Sequence, residues 1–240
     1  MDGSRGIKVR RIAFFVEGYT ELRLIEKLVL EIAGKNRVQI KGQQMHGSGS
    51  SRKVTTVIAE KPEAGQEFYV LIVDCGGETA VRTRIHDDHK YLTNQGYSEI
   101  IGIRDVYPSF TRDQISKLQM SMRTGIKTSL APVTIVLSTM EVEAWFLAEE
   151  NHYPAISDLL TAERVAESLG FDPRVDDMTL RNHPAADLNA AYGLVGETYT
   201  KALAARTVER LDYLNLYCNV RSRIPELNLV SERIDHFLAA

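Results

Sequence analysis

Acidic side chains stand at the ends of several short apolar runs, a placement that lets groups far apart in sequence act on one ligand. Glu17 follows RIAFFV, Asp74 follows FYVLIV, Asp105 follows SEIIGI and Arg104, and Glu141 and Glu143 come shortly after VTIVL. Carboxylates brought close repel one another unless a cation or a proton compensates, and hard oxygen ligands suit Mg2+ or Mn2+ better than zinc. A cation so held polarises a phosphoryl oxygen, lowers the pKa of a bound water and stabilises a leaving oxygen, which together make phosphodiester chemistry. Glu17, Asp74, Asp105 and one of the pair Glu141 and Glu143 are therefore the candidates to converge on such a cation.

Each of these residues also has a plainer explanation. Surface acids commonly cap helices, and Glu21, Asp113 and Glu163 are expected to do no more. Asp74 could simply hydrogen-bond the tight Gly76-Gly77 turn, and that pair of glycines, able to bring backbone N–H groups near a phosphate, lacks the lysine-serine sequel of a Walker loop. Glu141 and Glu143 diverge by about 200° on a helix but point the same way in an extended stretch, so one of them is expected to face the site. Trp145 and Phe146 are expected in the core, with base stacking by Trp145 the lesser alternative. Gly18, Gly76, Gly77, Arg104 and Lys201 are the candidate substrate contacts, with Arg206 a further basic side chain; helical lysines and arginines are more often solvated or ion-paired, and Arg104 could equally neutralise the acids. His183 before Pro184 reads as a helix start before it reads as a proton shuttle. His86 and His89 lack partners elsewhere that would make a metal set.

The elements that must position these groups repeat one pattern. RIAFFV ends at Glu17-Gly18 and is followed by a helix with Thr20 as N-cap, apolar residues at 22, 25, 28, 29 and 32, and Gly34 as its stop. VQIKGQQMH supplies a short strand, the cluster at 46–53 a glycine-rich loop, and VTTVIAE a weak helix or strand. FYVLIV, SEIIGI and VTIVL are further buried strands separated by helical segments near 79–95 and 111–123, and STMEVEAWFLAEE reads as a helix. Strands alternating with helices imply a mostly parallel sheet flanked by helices, and the carboxyl ends of such strands share one edge. Beyond residue 150 only helical patterns remain, so the expected organisation is an α/β domain over 8–150 and a helical C-terminal region over 151–240 packed on it.

Bulk composition excludes other classes. Apolar residues at 44% and charged residues at 25% match globular chains. A net charge of −3 argues against coating DNA by bulk electrostatics, and no apolar run approaches the length of a membrane span. Two distant cysteines, Cys75 and Cys218, form neither a disulfide framework nor a zinc pattern, which points to a reducing, cytoplasmic setting.

FFVEGYTE resembles the glutamate motif of TOPRIM domains, found in topoisomerases, primases and overcoming-lysogenization-defect (OLD) nucleases. Arg104-Asp105-Val106-Tyr107-Pro108 occupies the place of that fold's Asp-x-Asp motif, and MEVEAWFLAE, His183-Pro184 and Tyr199-x-Lys201 resemble segments of small stand-alone TOPRIM-like bacterial proteins encoded near ATPases and in anti-phage loci. The resemblance implies a TOPRIM/Rossmann-like fold, Glu17 as general base or metal-orienting acid, Asp105 as main ligand to Mg2+ or Mn2+, and Glu141 or Glu143 as a further ligand. Tyr107 departs from the pattern, standing where a second aspartate would be. The implied activity is a metal-dependent nuclease acting on nucleic acid, a phage-defence effector with an ATPase partner; the alternative is a catalytically degenerate module binding nucleic acid, nucleotide or that ATPase. A homodimer is compatible with either.

Overall fold

A computed structural model describes residues 9–47, 51–59 and 65–239. The expected glycine-rich loop at 46–53 falls partly on residues 48–50, and the expected domain limits at 8 and 240 likewise lie outside the described residues. The chain is α/β: six strands form one sheet in the order β3-β2-β4-β1-β5-β6, with β1 Arg10–Val16, β2 Val38–His46, β3 Lys53–Ile58, β4 Phe68–Asp74, β5 Tyr97–Asp105 and β6 Val133–Ser138. Strand β1 runs parallel to β4, with Phe14 opposite Ile72 and Val16 opposite Asp74, and parallel to β5, with Phe15 opposite Gly102. β2 is also parallel to β4, whereas β3 pairs with β2 antiparallel. VTTVI thus settles as a strand because it pairs antiparallel with β2, and most of it is exposed, as suits an edge.

The helices are α1 Tyr19–Ala33, α2 Ala80–Asn94, α3 Ile115–Arg123, α4 Glu143–Ala148, α5 Tyr153–Ile156, α6 Ala162–Leu169, α7 Pro184–Gly193, α8 Ala204–Val208, α9 Tyr213–Cys218 and α10 Pro225–Ala239. Helix α1 starts two residues earlier than expected: Gly18, not Thr20, is the N-cap, and the Glu21 carboxylate reaches back to accept from Gly18 N at 3.1 Å. Glu21 thus does the capping that the sequence suggested. Gly34 ends the helix as expected.

Two compact units divide the chain. The first holds the described residues up to Ile103, Arg123–Ile135 and those from Ile234; the second holds Arg104–Met122 and Val136–Arg233. In the first, Leu22, Ile25, Leu28 and Val29 of α1 and Val81, Ile85 and Leu92 of α2 are buried with the β1 and β4 side chains. Gly102 allows the β5 backbone close to α2: a Cβ there would stand 2.7 Å from Ile85 Cδ1 and 3.1 Å from Ile135 Cδ1. In the second, Trp145 and Phe146 are fully buried with Tyr153, Leu188, Tyr192 and Leu216, as expected for core anchors. From Glu143 onward the described residues form only helices and turns.

Candidate active site

Of the residues singled out in the sequence, Glu17, Gly18, Asp74, Gly76 and Gly77 belong to the first unit, and Arg104, Asp105, Glu141, Glu143 and Lys201 to the second. In the first unit the carboxyl ends of β1 and β4 lie side by side. Cys75 N donates to Val16 O at 2.9 Å and Gly77 N to Glu17 O at 2.8 Å. The connections after these two neighbouring strands run to opposite sides of the sheet, α1 leading to β2 and α2 to β5, so a topological switch point lies between them. The side chain of Glu17 is half-buried at this edge. Asp74 is buried, its Oδ1 accepting from Gly76 N at 2.9 Å and its Oδ2 from Gln44 Nε2 at 2.8 Å. Those contacts tie Asp74 to turn and strand: Gly76 has φ +78°, and a Cβ at that position would meet Met45 O at 2.8 Å. The N–H of Gly18, Gly76 and Gly77 are all engaged within this edge, by Glu21, Asp74 and Glu17 respectively.

The second unit gathers Asp105, Glu141, Glu143 and Lys201. Asp105 is the last residue of β5, 2% exposed, and its Oδ1 accepts from Val142 N at 3.0 Å. Lys201 Nζ stands 3.6 Å from Asp105 Oδ2 and 3.6 Å from Glu141 Oε1. Glu141 Oε2 accepts from Ala185 N at 3.0 Å in the first turn of α7, where the helix dipole favours a carboxylate. His183-Pro184 supplies that helix start, Pro184 occupying the first helical position and needing no N–H there. Glu143 is 1% exposed; its Oε1 accepts from Tyr199 Oη at 2.7 Å, and its Oε2 has no hydrogen-bond partner among the described residues.

Glu141 and Glu143 both face this cluster, although only one was expected to. The MEVEAW segment is neither a single helix nor a strand: α4 begins only at Glu143, and Met140 adopts φ +66° at the turn before it. A non-glycine residue in the left-handed region is uncommon and concentrates where geometry matters for function. Here it bends the chain so that Tyr107 N donates to Met140 O at 2.8 Å and Glu141 comes round to the side of Glu143. Tyr199-x-Lys201 flanks the extended Thr200, so alternate side chains project the same way, Tyr199 to Glu143 and Lys201 to Glu141 and Asp105.

Electrostatics follow from burial. The Glu143 carboxyl is pushed above the usual carboxylate range chiefly by desolvation and further by Glu141, while the Lys201 charge and the Tyr199 hydrogen bond pull it back. Arg104 lies apart from the acids in its contacts: buried, it places its guanidinium over the Phe110 ring at 5.4 Å and against Met122 Sδ. The Tyr107 ring packs edge-on to His183 at 5.1 Å. His86 and His89 each meet a backbone carbonyl, of Thr124 and Ala131. Arg206 is ion-paired to Glu197. Sequence reasoning missed the Tyr199 to Glu143 bond and the Ala185 N–H under Glu141; the period-two spacing of Tyr199 and Lys201 carried a signal, whereas nothing in the sequence marks Met140.

No protein-family profile matches the chain, and no curated protein matches it. Among solved structures, a provisionally assigned cell surface hydrolase from Lactobacillus plantarum WCFS1 aligns over 86% of this chain and 100% of that one, at 8% identity and a TM-score of 0.28. Similarity at that level carries no argument about fold or chemistry. None of the described helices is long and apolar enough to cross a membrane.

Proposed function

We propose that this protein is a divalent-metal-dependent phosphodiester hydrolase, a nuclease acting on DNA or RNA, with Asp105 and Glu141 as the residues that would hold Mg2+ or Mn2+. One observation carries the reading: Asp105, Glu141 and Glu143 are each more than nine-tenths buried, and the Lys201 ammonium stands 3.6 Å from both Asp105 Oδ2 and Glu141 Oε1. Carboxylates gathered where solvent screens little repel one another, and protons or cations must offset that repulsion. The donors fit a hard cation, being all oxygen, and Glu143 Oε2 is a buried acceptor without a donor. Bound there, the ion would polarise the scissile phosphoryl group and acidify its attacking water.

The protein's own groups have separable tasks. Glu143, whose carboxyl burial pushes above the usual carboxylate range, is oriented by Tyr199, whose hydroxyl donates to Oε1 and leaves Oε2 toward the cluster. Lys201 is 57% exposed on a flexible stem and can turn from the acids toward a non-bridging phosphate oxygen. By the TOPRIM resemblance, Glu17 is the general base or metal-orienting acid. The same resemblance extends the proposal to a cytoplasmic phage-defence role with an ATPase partner.

A second reading rests on the position of Lys201 itself. Its ammonium lies at ion-pair distance from both Asp105 and Glu141, which partly compensates the acids without a metal, and Tyr107 replaces an expected acid. On that reading the protein is a non-catalytic TOPRIM-like module that binds nucleic acid, nucleotide or the partner ATPase. The deciding experiment is cleavage of single-stranded DNA, double-stranded DNA and RNA with Mg2+ or Mn2+, with and without a candidate ATPase, by wild type, Glu17→Ala and Asp105→Asn. Metal-dependent cutting lost in both variants supports the nuclease; absence of cutting in every condition favours the binding module.

A further inference from the structure

We propose that the first unit carries a separate binding site for a phosphomonoester dianion, in a cavity of about 400 Å3 beside the N-terminal half of α2, with Arg84 as its anion-binding residue. The cavity is bounded by Met45, His46 and Gly47 at the end of β2, by Cys75 and Gly76 after β4, and by one face of α2. Thr79, Ala80, Thr83, Arg84 and Asp87 recur at three- and four-residue spacing and so form that face. None of these residues belongs to the acidic cluster of the second unit.

Arg84 is the reason to expect an anion. It is 5% exposed, and among the described residues its one hydrogen-bond partner is the carbonyl oxygen of Gly47, with none for Nε. Among the described residues no carboxylate lies within ion-pair distance of it. A buried guanidinium is costly unless matched by negative charge, and one carbonyl dipole does not supply that charge. Among the described residues Arg104 is also buried with no carboxylate at ion-pair distance, but it lies over the Phe110 ring, and no ring stacks on Arg84.

Nearby acids are already committed. Asp74 accepts from Gly76 N and Gln44, and Asp88 is held by Arg52 at 2.6 Å, with Asp87 4.0 Å from the same guanidinium. Asp87 is exposed at the rim, where its charge opposes an anion. Favouring the anion, the cavity lies against the first turns of a 15-residue helix whose N-cap, Thr79, makes no side-chain capping bond, leaving that hydroxyl and that of Thr83 for a ligand. Gly76 adds clearance, since a side chain there would collide with the Met45 carbonyl. Arginine matches phosphate oxygens with its planar fork, and the volume admits a nucleoside beyond the phosphate. The ligand is therefore a mononucleotide or the 5′-phosphate end of a strand.

Metal-free protein in EDTA separates this site from the hydrolase reading. Isothermal titration would use inorganic phosphate, 5′-AMP, adenosine, and a short thymidine oligomer with and without a 5′-phosphate, at ionic strength matched with chloride. 5′-AMP is expected to bind about tenfold or more tightly than adenosine, and Arg84→Gln to lose about tenfold or more of that affinity while Arg84→Lys keeps part. Asp87→Asn should tighten phosphate binding severalfold by removing a like charge. If the phosphorylated oligomer outcompetes 5′-AMP the source is a strand end; if not, it is a free nucleotide. Binding of neither phosphate nor 5′-AMP, or equal binding by Arg84→Gln, overturns the proposal. Should Arg84→Gln fail to fold by circular dichroism, an Asp87→Asn affinity no tighter than wild type overturns it instead.

Discussion

Lys201 holds two acids at once, so its removal exposes what the charge balance of the cluster is. Lys201→Met leaves Asp105, Glu141 and Glu143 without their ammonium, and buried like charges then repel. We expect the variant to melt at lower temperature in chelator and to gain more from added Mg2+ than wild type does, read by thermal denaturation with and without the ion. Glu143 gives a second test. Its folded pKa lies above the ordinary value of about 4.5, so the native state binds a proton that the unfolded chain releases, and stability is full below that value and falls as pH rises through the folded pKa. Glu143→Gln, which mimics the protonated form, should flatten this decline when urea midpoints are measured in chelator from pH 4 upward. An unchanged slope would mean that Glu143 titrates normally despite its burial.

At the scale of elements, turns position the site as much as strands do. Asp74→Ala removes the acceptor for Gly76 N and for Gln44, and should cost about 1–3 kcal/mol by urea denaturation without abolishing metal binding in the second unit. Trp145→Ala empties the core of α4 and should cost about 3–5 kcal/mol, with loss of any activity following from loss of fold. The strands were legible because FYVLIV, RIAFFV and VTIVL are continuous apolar runs, the mark of strands buried on both faces, and their acidic ends followed from chain direction. What stayed hidden depends on contacts remote in sequence. The pairing that makes β3 a strand, the Gly18 cap and the Met140 turn leave no periodic trace, and Tyr199 reaches Glu143 across 56 positions. The buried state of Arg84 was equally invisible, because a lone arginine on an amphipathic helix reads as solvated.

For the molecule as a whole, a net charge of −3 limits how nucleic acid can be held. Contacts must come from a few local cations, so the slope of log affinity against log salt should be no steeper than about −3 in chelator, far below that of proteins that coat DNA. A steeper slope would require a basic surface that the two sites do not provide. Above all, the proposed function requires that a divalent cation complete the buried acids of the second unit. Isothermal titration of Mn2+ into wild type, Asp105→Asn and Glu141→Gln tests it most directly. Saturable binding in wild type that weakens about tenfold or more in both variants is the predicted result. Absence of saturable binding, or equal affinity in all three proteins, would contradict it and leave Lys201 as the cluster's own and sufficient counter-charge.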